Sequence, residues 1–106
     1  MRRNHNPADP RLTKLLREML PKITMADFLA IEEIARRGHL RHLPPGIIAW
    51  QAITTHARHN HTDYDQLLAE GYDAESARHF VLDAINDKLA EWGCLRRIEN
   101  DANGEA

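Results

Sequence analysis

Helix start signals and helix stop signals divide most of this chain into segments whose apolar residues recur every three or four positions. Asp9-Pro10 places an N-cap acceptor before a proline at the first helical position, and Thr24 and Asp73 are further N-cap residues. Residues that end helices follow these segments at Pro21, Gly38, Gly71 and Gly93. Outside the short stretch 94–98, no segment alternates apolar and polar residues as a half-buried strand does. The pattern predicts an all-α fold.

The spacing of the apolar residues predicts a compact single domain of about five helices. A length of 106 residues fits one domain. The stripes predict helices over residues 10–20, 25–37, 45–60, 63–70 and 74–92. We expect a helical domain over residues 9–98 and disordered tails at residues 1–8 and 99–106, of which the second is acidic.

Composition and charge exclude several classes of protein. Hydrophobic residues make up 42% and charged residues 28%, which is ordinary for a soluble globular domain. A formal charge of −2 provides no overall attraction to nucleic acid or to a membrane. The single cysteine, Cys94, excludes an internal disulfide and a cysteine-rich zinc site, and no apolar run approaches the roughly 20 residues of a membrane span. No secretory signal is visible, so we expect a cytoplasmic protein.

The most polar stretch, residues 56–65, contains three histidines and two aspartates between two predicted helices. All five histidines and aspartates of the stretch are acceptable metal ligands, and the candidate set consists of His56, His59, His61 and Asp63. They are the basis of one alternative function, a metal-dependent hydrolase or nuclease, in which a histidine beside an aspartate would transfer protons. No further cysteine or histidine pair completes a tetrahedral set, and no serine or cysteine nucleophile lies nearby. The sequence therefore favours a protein that is not an enzyme and has no cofactor.

Charge is distributed unevenly along the chain. No carboxylate occurs between Ile34 and Thr62, whereas that span holds five histidines and four arginines. Clustered arginines are sufficient for phosphate contacts. The leading functional prediction is therefore a binding or accessory module for nucleic acid or another phosphate-bearing ligand. The candidate binding residues are Arg36, Arg37, Arg41, His56, Arg58, His59 and His61.

Arg78 is predicted to lie on the apolar face of its helix. At about 100° per residue it falls within the apolar arc of the fifth helix. A buried arginine needs an anionic partner, and Asp63 and Asp65 are among the nearest candidates outside that helix. We therefore predict a polar clamp between the fourth and fifth helices that comprises Thr62, Asp63, Asp65 and Arg78.

One string of residues resembles a known family. Residues 58–71 read Arg-His-x-His-Thr-Asp-Tyr-Asp-x-Leu-Leu-x-x-Gly, and Ala77-Arg78 and Trp92-Gly93 follow. This pattern, within residues 44–93, is similar to a family of uncharacterised bacterial and fungal domains of unknown function. The resemblance implies no known activity, but it places the polar stretch and Arg78 in one signature.

A protein–protein interaction domain is a further alternative. Phe80 lies at the edge of the apolar arc of its helix, which makes it the best candidate for an exposed aromatic contact. The sequence identifies no partner. It also leaves open whether the polar stretch binds a metal or only caps and joins helices.

Overall fold

The computed structural model describes residues 9–37 and 42–99, which form helices and connecting turns without a strand. The helices are α1 (Pro10–Met19), α2 (Met25–Ala35), α3 (Pro45–His61), α4 (Tyr64–Ala69), α5 (Ala74–Phe80) and α6 (Leu82–Glu91). The all-α prediction is confirmed. Apart from Glu99, the two predicted disordered tails lie outside the described residues, as does Gly38, the predicted stop signal after α2. In the described part of the chain, no helix combines the length and hydropathy that crossing a membrane requires.

Local hydrogen bonds start the first two helices where the sequence predicts them. Asp9 accepts the backbone N–H of Arg11 at 2.9 Å, and Thr24 accepts that of Asp27 at 3.2 Å. These acceptors satisfy N–H groups that have no partner within the first helical turn. The loop between α1 and α2 is also bonded to the end of α6, because the Lys22 N–H donates to the carbonyl of Trp92.

The predicted fifth helix is two helices joined at a bend. Asp73 caps α5 by accepting the Ser76 N–H at 2.7 Å, but α5 ends at Phe80. Val81 has φ −100° and ψ 6°, outside the helical range. The Ile85 N–H still donates to the Val81 carbonyl at 2.9 Å, so the chain bends without separating. The bend brings the number of described helices to six.

α3 is the central helix of the domain. It packs against α1, α2 and α6 and also contacts α4. Its inner face carries mainly small residues with no exposed surface, which lets neighbouring helices approach closely: Ala49, Ala52, Ile53 and Ala57. The other helices and the loop after α1 contribute larger side chains that are almost fully buried, among them Leu16, Leu20, Ile31 and Leu89.

Two glycines end helical segments in the left-handed region, as the stop signals predict. Gly71, just after α4, has φ 103°, and Gly93, just after α6, has φ 83°. Gly93 also approaches the α1–α2 loop so closely that a Cβ atom would lie 2.9 Å from Cγ of Pro21. This close approach holds the end of α6, and with it Trp92, against the rest of the domain.

Candidate functional sites

Arg36 and Arg37 lie at the C-terminal end of α2, where the predicted basic region begins. The Arg36 guanidinium is engaged by two glutamates of its own helix, at 3.8 and 3.5 Å, which offset its charge. Arg37 is exposed. Arg41 lies outside the described residues.

The packing of α2 against α3 separates these arginines from Arg58. Asp27, in the first turn of α2, contacts His56 and His61 near the end of α3, so the two helices run antiparallel. Arg36 lies nine residues, or about 14 Å, after Asp27 along α2, so it is displaced toward the start of α3 by roughly that distance from the level of Arg58. The single basic region predicted between Arg36 and Arg58 is divided into two separate parts.

Arg58 lines a half-open groove with a volume of about 190 Å³. Trp50, Thr54 and Arg58 are four residues apart and therefore share one face of α3. The remaining lining residues come from α5, α6 and the segment after α6: Arg78, Leu82, Ile85 and Ile98. Two of these described lining residues are arginines and none is a carboxylate.

Aromatic rings orient two of the arginines at the groove. The Arg58 guanidinium lies over the ring of Tyr64, 5.5 Å from its centroid. Arg96 lies over the ring of Trp50 at 4.0 Å, which adds a third cation beside the groove. Cation–π contacts of this kind restrict the motion of a long side chain.

Asn86 anchors the C-terminal segment that carries Arg96 and Ile98. The side chain of Asn86 is buried, its Oδ1 accepts the Ile98 N–H at 2.7 Å, and its Nδ2 donates to the Ile98 carbonyl at 3.0 Å. The segment is therefore attached to α6 by a pair of bonds like those between two strands. This pair of bonds places Ile98 at the wall of the groove.

Arg78 is exposed, so the prediction that it is buried in a polar clamp is wrong. The buried stripe of α5 and α6 consists of Ala77, Val81, Ile85 and Leu89. Within the short helix α5, Arg78 lies about 100° around the helix from Ala77, the buried residue of that helix, and it lines the groove. No ion pair joins it to Asp63 or Asp65 among the residues described.

The other members of the predicted clamp close the corner between α3 and α4. Nδ1 of His59 lies 2.7 Å from Oδ1 of Asp65 on an exposed surface. The Thr62 hydroxyl accepts the Tyr64 N–H at 3.1 Å and donates to a carbonyl of α3. Asp63, not Thr62, occupies the N-cap position of α4, and it makes no side-chain cap bond. The bonds of His59 and Thr62 connect the end of α3 to α4.

Asp27 brings together two histidines of the polar stretch, and we call Asp27, His56 and His61 the Asp27 cluster. Oδ1 of Asp27 lies 2.7 Å from Nε2 of His56 and 2.9 Å from Nε2 of His61. The side chain of His56 is 7% exposed and that of His61 is 24% exposed, so the cluster is closed at one end and open at the other. Trp92 stacks on His56 at 6.1 Å and meets His61 edge-on at 5.5 Å.

Neighbouring polar groups orient the Asp27 cluster. The Asn60 amide nitrogen lies 3.1 Å from Nδ1 of His56 and also donates to the His56 carbonyl at 3.2 Å. Nδ1 therefore accepts, which places the proton of a neutral His56 ring on Nε2, where it is donated to Asp27. The Thr24 hydroxyl donates to the second carboxylate oxygen at 3.2 Å. Asp27 thus accepts hydrogen bonds on both of its oxygens.

The surroundings of Asp27 keep its carboxylate ionised. Burial by itself would raise the pKa of Asp27, but hydrogen bonds from His56 and His61 and the charge of His61 oppose that effect. The net result is a pKa lowered from 3.8 to about 2. A charged oxygen acceptor is therefore fixed between two imidazole rings at neutral pH.

The Asp27 cluster differs from the metal set predicted from the sequence. The ligand atoms of Asp27, His56 and His61 lie within 4.8 Å of one another. His59 instead turns to Asp65, and Asp63 is exposed before α4, so these two do not join the cluster.

Sequence reasoning misses Asp27 because it is 29 residues from His56. Its position three residues after Thr24 is also fully explained by capping. The one feature of the sequence that could have revealed this partner is His56, which lies beside the apolar face of α3 and needs a buried hydrogen-bond partner.

Phe80 is exposed, as expected from its position on the helix. It is 62% exposed and meets the ring of Tyr72 edge-on at 5.4 Å. A protein–protein contact at this pair of rings stays a prediction.

Comparison with known proteins identifies a family but no activity. The family described as an uncharacterized conserved protein, DUF2293, matches residues 15–93, which is 79 of the 106 residues. The match begins within α1, so it includes the N-terminal helices that the resemblance over residues 44–93 left out. No curated protein and no solved structure matches the chain.

Proposed function

This chain belongs to the DUF2293 family, whose members are uncharacterised, and we propose from its own geometry that it is a small module that binds phosphate groups. The observation that carries the proposal is a groove lined by Arg78 and Arg58, with Arg96 over the ring of Trp50 beside it and no carboxylate among the described lining residues. The ligand class we propose is single-stranded nucleic acid, which presents phosphates in a flexible chain.

The chemistry of the groove suits a phosphate. Guanidinium groups match phosphate oxygens with paired N–H donors, and such charge-assisted bonds are stronger than neutral ones. Leu82, Ile85 and Ile98 supply an apolar floor that excludes water and strengthens the attraction between charges. Tyr64 holds Arg58 in place, so less side-chain entropy is lost on binding.

The size and openness of the groove favour a segment of a nucleic-acid strand as the ligand over a complete cofactor. Pockets for drug-sized ligands are typically about 300–1,000 Å³, and this groove, of about 190 Å³, is smaller. A phosphate with a portion of its sugar or base fits such a volume. Since the groove is half-open, the remainder of a strand can continue across the surface past Arg96.

The positions of the groove and of the Asp27 cluster support binding rather than hydrolysis. His56 and Arg58 are two residues apart on α3, which places their side chains about 200° apart around the helix. A metal-dependent hydrolase or nuclease needs its metal and its phosphate at one point. The hydrolase alternative therefore has less support than a binding module.

The test compares two variants that remove the same charge from two different places. A fluorescently labelled single-stranded oligonucleotide is titrated with wild-type protein, Arg78→Gln and Arg37→Gln, and the anisotropy is followed at several salt concentrations. We expect Arg78→Gln to weaken binding about tenfold, because one charge-assisted bond contributes about 1.5 kcal/mol. The slope of log K against log salt should fall by about one. Arg37→Gln should change the affinity less than about twofold.

Several outcomes would contradict the proposal. Undetectable binding at low salt would end it, and so would binding without salt dependence. Equal weakening by Arg37→Gln and Arg78→Gln would show that binding depends on overall charge and not on the groove. Competition by inorganic phosphate or by a nucleoside monophosphate at similar concentrations would identify a free phosphate compound, not a strand, as the ligand.

A further inference from the structure

The Asp27 cluster has the composition and the convergence of a metal-ligand set. Two imidazole nitrogens and one carboxylate oxygen lie within 4.8 Å of one another. Imidazole favours zinc and neighbouring transition metals over magnesium and calcium, which prefer sets made of oxygen ligands. We propose that Asp27, His56 and His61 bind one Zn²⁺ ion. This site is separate from the groove and does not depend on the function proposed above.

Zinc binding requires a small expansion of the cluster. The distances of 2.7 and 2.9 Å between Oδ1 of Asp27 and the two Nε2 atoms are hydrogen-bond lengths. Ligands about 2.0–2.1 Å from a tetrahedral Zn²⁺ lie roughly 3.3 Å apart. Each of these two distances must therefore lengthen by about half an ångström. His61 is the last residue of α3 and is the more exposed of the two, so its ring has room to move.

The surroundings can supply the proton arrangement that the metal needs. A ring that binds zinc through Nε2 carries its proton on Nδ1, and that N–H needs an acceptor. For His56 this acceptor is Asn60, whose amide lies 3.1 Å from Nδ1. A half-turn of the amide replaces the nitrogen with its oxygen. The Thr24 hydroxyl remains on the other oxygen of Asp27, which keeps the carboxylate oriented.

Charge and access also fit a bound cation. One carboxylate and two imidazoles, which bind a metal in their neutral form, offer one negative charge to a dication. Trp92 covers both rings on one side, which lowers the local dielectric constant and strengthens ion binding. Three protein ligands leave one position of a tetrahedron for water. The exposed end of the cluster at His61 provides access for the ion and for that water.

The experiment uses the full chain without a histidine tag, stripped with a chelator and titrated with ZnCl₂ by calorimetry. We expect one Zn²⁺ per chain with micromolar or tighter affinity, and no comparable heat with MgCl₂. His61→Gln and Asp27→Asn should each weaken binding at least about tenfold. His59→Gln is the matched control, because His59 belongs to the same stretch but bonds to Asp65. It should bind zinc like the wild type.

A second measurement covers the case in which a variant does not fold. Co²⁺ in place of zinc gives a visible absorption band in tetrahedral sites, and this band should appear with wild-type protein and be absent with His61→Gln. The absence of stoichiometric zinc in the wild type would overturn the proposal. So would several weak equivalents that His61→Gln leaves unchanged, since these indicate scattered surface histidines. Equal losses in His59→Gln and His61→Gln would favour the set predicted from the sequence.

Discussion

The attachment of the C-terminal segment by Asn86 leads to a quantitative prediction. Asn86 is 4% exposed and makes two bonds to the backbone of Ile98, at 2.7 and 3.0 Å. The change Asn86→Ala removes both bonds. A hydrogen bond contributes about 1 kcal/mol net, so we expect the free energy of unfolding to fall by about 2 kcal/mol. The loss is limited to that value because a detached segment exposes the N–H and carbonyl of Ile98 to water.

The assay combines global stability with a local probe. Urea unfolding followed by circular dichroism measures the total change, and the melting temperature should fall by about 10 °C. Hydrogen exchange at the Ile98 amide should become fast in Asn86→Ala while the amides of α3 stay protected. The neighbouring change Asp87→Ala is the control, because Asp87 is an exposed residue of the same helix. It should leave both measurements almost unchanged.

Two results would refute this reasoning. A change in unfolding free energy below about 0.5 kcal/mol would mean that the two bonds contribute nothing net. Continued protection of the Ile98 amide would mean that other contacts hold the segment. If the reasoning is correct, Asn86→Ala should also weaken oligonucleotide binding several-fold, since Ile98 lines the groove and Arg96 is carried on the same segment.

Three further predictions concern the carboxylate, the glycines and the core. Because the pKa of Asp27 is lowered from 3.8 to about 2, its contribution to stability is complete above about pH 4 and is lost as the pH falls through 2. In the presence of a chelator, the urea midpoints of wild type and Asp27→Asn should therefore differ at about pH 6 and converge near pH 2. Gly93→Ala should lower the melting temperature more than Gly71→Ala. Both glycines have positive φ, but only at Gly93 would a Cβ atom meet a proline side chain, at 2.9 Å. Equal decreases in melting temperature would mean that only φ matters. Leu16→Ala should cost about 2–5 kcal/mol in urea unfolding, whereas Leu95→Ala, 98% exposed, should have no measurable effect.

The helices and their order could be predicted from the sequence because short-range chemistry determines them. Asp9, Thr24 and Asp73 accept N–H groups two or three residues away, and Gly71 and Gly93 end helices through their own backbone conformation. None of these interactions depends on a distant part of the chain. The bend at Val81 is the exception. No proline or glycine marks it, so the stripe of apolar residues looks like one continuous helix.

Packing between segments that are distant in sequence determines which residues form the candidate sites. Arg78 is predicted to be buried by a helical wheel that treats residues 74–92 as one cylinder, whereas the folded chain places it at the edge of a groove shared by α3, α5 and α6. Asp27 joins His56 and His61 across 29 and 34 residues because α2 lies antiparallel to α3. By itself the sequence determined which segments are helical, since caps and turns act between near neighbours. Only the tertiary structure decided which polar groups meet, because that depends on how the helices pack around α3.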